Sequence, residues 1–207
     1  MRFTCLAIAP FFLASCAVES AHESQPFGPS ASEYAAIAET NYVANGWTSK
    51  TLPELAKALE ASEFTSSSLT QDYLDRIAAI DRKGPMLQSI IALNPDVLAQ
   101  AKASDSRRES GEALGPLDGV PILFKDNIET LDPVATTAGA YALKDNVTER
   151  DSPLVAGLRA QGAVILGKTN LSQWANFRSG DSVSGWSAIG GQVRNLHMLD
   201  RLSLIHI

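Results

Sequence analysis

Cysteine is nearly missing from this chain of 207 residues: Cys5 and Cys16 are the only two, and both lie in its first seventeen positions. The remainder therefore has no means of building a disulfide, a thiolate nucleophile or a thiolate metal site. Histidine is almost as scarce. His22, His197 and His206 follow no metal-ligand spacing, so neither a metal nor another cofactor is expected. Aromatic residues make up 7% and charged residues 19%, the net charge is −6, and Lys and Arg form no run. A nucleic-acid partner needs a basic face and is disfavoured. No apolar run reaches the roughly twenty residues that cross a bilayer as a helix. What is present, 45% hydrophobic residues spread along the length, suits a globular domain.

The first seventeen residues stand apart. Met1-Arg2 supplies one positive charge, and Phe3 to Ala17 is then uncharged, a length that suits the apolar region of an export signal. Its end, Leu13-Ala14-Ser15-Cys16, resembles a bacterial lipobox, in which the Cys becomes the lipidated first residue of the mature protein. The expectation is an export signal of lipoprotein type over 1–17, a periplasmic location, and membrane attachment only through a lipid on Cys16. A plain secretory signal cut after Ala17, with Cys16 incidental, is the alternative. Residues 18–35, rich in Glu, Ser, Pro and Gly, read as a flexible tether.

Helical signals follow. Thr51-Leu52-Pro53-Glu54 has the form of a capping box with an early proline, leading into Leu55 and Leu59. From about Ser67, Leu69, Tyr73, Leu74, Ile77 and Ile80 recur at helical spacing, and Gly84-Pro85 ends the pattern. Leu87 to Leu93 reads as a short strand, and Pro95-Asp96 opens a third helix to about Arg108. Val120–Phe124 and Ala163–Leu166 are compact apolar runs on either side of a helix opened by Ser152-Pro153 and stopped by Gly162. Two buried strands joined through a helix predict a parallel pair with a right-handed crossover, and an α/β fold with helices around a sheet.

Lys125 is the most suggestive position, at the carboxyl end of the first apolar strand, where ligand sites of α/β sheets gather. A lysine desolvated there has a depressed pKa and serves as a general base. The commoner arrangement is a strand-end lysine pointing into water. A polar, glycine-bearing tract from Gly167 to Gly191 mixes Trp174, Phe177 and Trp186 with Asn170, Asn176, Arg178 and several serines. Such tracts build pocket walls as well as plain connections. No serine in it sits in a Gly-x-Ser-x-Gly elbow, so a Ser-His-Asp hydrolase is not supported. Asn146-Val147-Thr148 and Asn170-Leu171-Ser172 match the glycosylation pattern.

The run Gly115-Pro116-Leu117-Asp118-Gly119-Val120-Pro121-Ile122-Leu123-Phe124-Lys125-Asp126-Asn127 closely resembles the lysine-bearing segment of the amidase signature family. Gly167-Lys168-Thr169-Asn170-Leu171-Ser172-Gln173-Trp174-Ala175-Asn176-Phe177-Arg178 resembles the stretch that follows it there, and Ser184-Gly185-Trp186-Ser187 with Gly190-Gly191-Gln192 is most similar to the bacterial peptide amidase branch. The resemblance covers roughly residues 50–201. It implies an amidase-signature mixed sheet flanked by helices, and hydrolysis of a small-molecule or peptide amide by a Ser, a bridging Ser and a Lys. The Lys falls on Lys125, with Asp126 and Asn127 as candidates for supporting it. A strand-end turn with local side-chain hydrogen bonds is an equally good account of those two.

The same resemblance locates both serines beyond Arg201, in segments with no counterpart here, and Leu202 to Ile207 matches nothing in the family. The chain is accordingly expected to hold the N-terminal part of an amidase domain over 36–201, with an anomalous tail at 202–207. By itself it should release no ammonia from a peptide amide. Leu196 and Asp118 also depart from the family pattern, which usually has Pro and often has His at these places. Two alternatives are carried forward: the glutamine-dependent amidotransferase subunit of the same family, which an export signal disfavours, and a non-catalytic lipoprotein.

Overall fold

The computed structural model describes residues 46–202. Cys16, the export signal, the tether and the tail beyond Leu202 lie outside the described residues. Among those described, no helix is long and apolar enough to cross a membrane.

Helix α1 (Leu52–Glu60) begins as the capping pattern predicts. The Glu54 carboxylate accepts from both the N–H and the hydroxyl of Thr51, each at 2.7 Å. Helix α2 (Ser66–Arg76) is capped by Thr65, whose hydroxyl accepts the Ser68 N–H at 3.1 Å. Its apolar spacing carries on through a wider π turn, Ile77–Asp81, which keeps Ile77 and Ile80 pointed at the core.

Strand β1 is shorter than its apolar run suggests, spanning only Ile90–Leu93. Met86 and Gln88 lie in the left-handed region, at φ 50° and 54°, where a strand cannot continue. The buried Asp81 carboxylate then takes the Ser89 N–H at 2.6 Å and holds the bend that starts the strand. Helix α3 (Val97–Glu109), strand β2 (Pro121–Lys125), helix α4 (Pro153–Ala160) and strand β3 (Val164–Thr169) follow where the patterns place them. Pro121 is tolerated because it is the first residue of its strand.

The sheet order is β1-β3-β2, with β3 central, antiparallel to β1 and parallel to β2. Alternation along the strands makes three layers. Val164 and Leu166 pack with Ile77, Ile90, Val97 and Ala101 on one side, while Phe124 and Ile165 pack with Val155 and Leu158 of α4 on the other. A third cluster joins Leu55, Leu59 and Leu69 to Val120. Each fully buried aliphatic side chain contributes roughly 1.5–3 kcal/mol, so these clusters dominate what holds the layers together.

Gly167, at φ 156°, sits where β3 slips one residue against its neighbours, and a Cβ there would stand 2.3 Å from the Ala92 carbonyl oxygen. After β3 the chain turns through two short antiparallel pairs. These are β4 (Trp186–Ser187) with β5 (Gly191–Gln192), and β6 (Arg194–Asn195) with β7 (Met198–Leu202).

Candidate active site

β2 delivers Lys125 to the carboxyl end of the sheet and then turns sharply, the Ile128 N–H closing back on the Lys125 carbonyl at 2.9 Å. The desolvated state is not what the described residues show. Lys125 is exposed and makes no side-chain hydrogen bond or ion pair among them. The cause is its position on an edge strand, with no strand beside β2 on that edge among the described residues.

The buried lysine is Lys168, which the sequence pattern does not single out. Register explains the contrast: Lys125 pairs with Thr169, while Lys168 pairs with Phe124, so the two lysines face opposite sides of the sheet. Lys168 is completely inaccessible. Its ammonium donates to the Ile128 carbonyl and, at 2.9 Å, to the Thr136 hydroxyl. Burial pushes its pKa down, against the pull of Asp126 and other carboxylates nearby.

Asp126 is equally inaccessible and lies on the Lys168 side of the sheet. Its carboxylate accepts from the Thr137 N–H at 3.2 Å, the Thr137 hydroxyl and the Gly139 N–H at 3.4 Å. Burial pushes this carboxyl up, with the Thr137 and Gly139 donors and the Lys168 charge opposing. The strand-end turn is therefore present, but its aspartate bonds to a segment eleven to thirteen residues on rather than locally. Asn127 is exposed and edges a shallow depression beside Ile128 and Leu154.

The tract after β3 forms the wall of a cavity of about 580 Å³, lined by Trp174, Trp186, Val183, Arg178, Asp181 and Gln192 among others. That volume lies within the range of small-molecule sites. Trp174, Ala175 and Asn176 have φ of 51°, 50° and 64°, a left-handed run of three non-glycine residues. Strain of this kind persists only where surrounding structure enforces it. Phe177 is 76% exposed and stands edge-on to Trp174, outside the cavity lining.

Asn170 anchors the tract. Its carbonyl oxygen accepts from Ser187 and Leu171, and its amide donates to the Gln88 and Gly191 carbonyls, at 2.6 to 3.2 Å. With its amide so engaged and buried, Asn170 is no glycan acceptor. Asp118, one of the departures from the family pattern, is fully buried and takes a two-pronged bond from Arg107 at 3.0 and 2.6 Å, a structural ion pair.

Lys125 and the cavity are joined by few steps. Asp126 follows Lys125 and binds the 137–139 segment; the Ala138 carbonyl accepts the Trp174 N–H at 3.0 Å, and the Gly139 carbonyl accepts the Ala188 N–H at 3.1 Å. The turn that follows Lys125 is thus tied by hydrogen bonds, through residues 137–139, to the tract that walls the cavity. No group of His, Cys, Asp and Glu among the described residues is arranged to hold a metal ion.

Residues 68–202 match the amidase family, and the chain belongs to it. It is 43% identical over 151 residues to a probable amidase of Arabidopsis thaliana, covering 72% of this chain and 29% of that protein. It is 44% identical over 134 residues to a subunit of the glutamyl-tRNA(Gln) amidotransferase of Methylococcus capsulatus, covering 64% and 27%. The solved native peptide amidase of Stenotrophomonas maltophilia matches at 52% identity with a TM-score of 0.69, over 71% of this chain and 30% of that one. The chain thus spans under a third of the length of each of these relatives.

Proposed function

We propose that this chain contributes the general base and part of the substrate cavity to a hydrolase that cleaves carboxamide C–N bonds, with C-terminal amides of peptides as the substrate class. The observation that carries the reading is the placement of Lys125 at the carboxyl end of β2, where the residue after it is tied through residues 137–139 to the tract that walls the Trp174–Trp186 cavity. The identity to a peptide amidase supports the substrate class.

In this scheme a serine supplied outside residues 46–202 attacks the amide carbon. Its proton passes through a bridging serine to neutral Lys125, and from protonated Lys125 to the departing amine, which leaves as ammonia. Water then splits the acyl ester, releasing the carboxylic acid and restoring the serine. An element packed beside β2 in the assembled site would supply the desolvation that a lysine base needs. The similarity to the glutamyl-tRNA(Gln) amidotransferase fits the same amide chemistry on glutamine.

The test is a chimaera in which residues 68–202 replace the matched segment of the Stenotrophomonas peptide amidase. Release of ammonia from an N-acyl dipeptide amide is expected. A folded chimaera that releases none, beside an active parent, contradicts the reading.

We further propose export to the periplasm and lipidation of Cys16, supported by the uncharged run that ends in Leu13-Ala14-Ser15-Cys16. In a bacterial host the chain should incorporate labelled palmitate, and Cys16→Ala should lose the label and the membrane fraction. Equal labelling of both proteins rules the anchor out.

A further inference from the structure

Asp126 and Lys168 are buried, ionisable and unused by the scheme above, yet they share one sheet face behind Lys125. Lys168 binds the chain at two points eight residues apart, the Ile128 carbonyl and the Thr136 hydroxyl. Asp126 binds it at Thr137 and Gly139, and its own carbonyl accepts the Ala138 N–H at 2.9 Å. Residues 126–139 are therefore a lobe stitched shut at its neck by the side chains of Asp126 and Lys168.

The lobe passes its position on. Ala138 and Gly139, inside the stitched neck, present the carbonyls that hold Trp174 and Ala188. A Cβ on Gly139 would stand 2.6 Å from Ser187 Cβ, so lobe and tract are in close contact as well as hydrogen-bonded.

We propose that Asp126 and Lys168 act as one positioning unit, which fixes the 126–139 lobe to the end of β2 and thereby sets the Trp174 wall of the cavity relative to Lys125. The proposal rests on the reading of Lys125 and the cavity as one site. A pair that works as a unit should fail as a unit: once one member is gone, losing the other costs little more.

Amide hydrogen exchange on the 207-residue chain reads this without any turnover, so it stands or falls separately from the base assignment, which is read by ammonia release. Asp126→Asn and Lys168→Met should each speed exchange at Trp174 and Ala188 by at least about tenfold, with Leu69 and Ala101 in the core unchanged. The double variant should match the faster single variant. Thr137→Val should speed the same two amides, and Thr137→Ser, which keeps the hydroxyl, should restore them. If Lys168→Met loosens the core amides too, the Asp126 variant and the Thr137 pair carry the test. The proposal is overturned by acceleration confined to Thr137 and Gly139, by double-variant effects equal to the product of the singles, or by failure of Thr137→Ser to restore.

Discussion

Replacing Lys125 by alanine in the peptide amidase chimaera should reduce ammonia release by about 10³-fold, the middle of the range that a positioned general base supplies. Folding should be untouched. Lys125 is exposed and spends no hydrogen bond or ion pair among the described residues, so its side chain holds nothing together here. Truncation at such a surface position stays within about 0.5 kcal/mol of neutral. The expected signature is a large loss of kcat with an unmoved thermal midpoint. Lys125→Arg should fail almost as badly, because a guanidinium remains charged throughout the working pH range and accepts no proton. If Lys125→Ala turns over within tenfold of the parent, the lysine is not the base and the family assignment says nothing about this residue's role.

The second large effect is on stability. Arg159 on α4 reaches Asp151 through two nitrogens, at 2.7 and 3.0 Å, and Asp132 at 2.6 Å. Asp132 is only 5% exposed and also gathers Asn94 and Gln100, which tie it to β1 and α3. Removing the cation leaves a carboxylate buried with two neutral donors. Arg159→Met should therefore cost about 3 kcal/mol at neutral pH. For a domain of this size that lowers the thermal midpoint by about 6–12 °C.

The pH dependence follows from Asp151. Burial by itself would raise its carboxyl, but the Arg159 guanidinium and the Leu131 N–H outweigh burial and hold it below the usual range. A carboxyl depressed in the folded state contributes stability above its unfolded pKa, about 3.9, and loses it as pH falls through the folded value. The gap between parent and Arg159→Met should be full at pH 7 and narrow below about pH 4. A gap that widens in acid, or a variant as stable as the parent at pH 7, contradicts this assignment.

These cases show which features sequence reasoning reaches. The helix starts at Thr51 and Ser152 were legible because capping chemistry is local, whereas the second helix, read from its apolar spacing to begin at about Ser67, starts at Ser66 behind a Thr65 cap. The β2–α4–β3 unit was legible because its apolar runs are uninterrupted and its stops are glycine and proline. The extent of β1 was not. Two left-handed residues without glycine, Met86 and Gln88, shorten it, and the Asp81 carboxylate that holds the bend comes from the preceding π turn.

Lys125 stood out because it follows an apolar run directly, whereas Lys168 follows one only after Gly167, which reads as the run's stop. Only the pairing of Phe124 with Lys168 shows that its side chain dives to the buried face. A buried lysine whose partners, Ile128 and Thr136, lie on a distant segment leaves one signal in the chain, a charge at the end of a run that is otherwise apolar. That signal was present at Gly167-Lys168-Thr169. The long-range bonds of Asp126 were hidden for the same reason: their partners, Thr137 and Gly139, lie beyond any local turn pattern.

If residues 46–202 supply a base and a cavity wall, the nucleophile must come from elsewhere in the assembled site. Rapid quenching of the chimaera with an N-acyl dipeptide amide, followed by peptide mass mapping, tests it directly. The acyl group should be found on a serine of the peptide amidase part, absent from residues 68–202, and in the Lys125→Ala variant it should not form within the parent's quench time. Acylation of Ser172, Ser184, Ser187 or any other hydroxyl within residues 68–202 would contradict it.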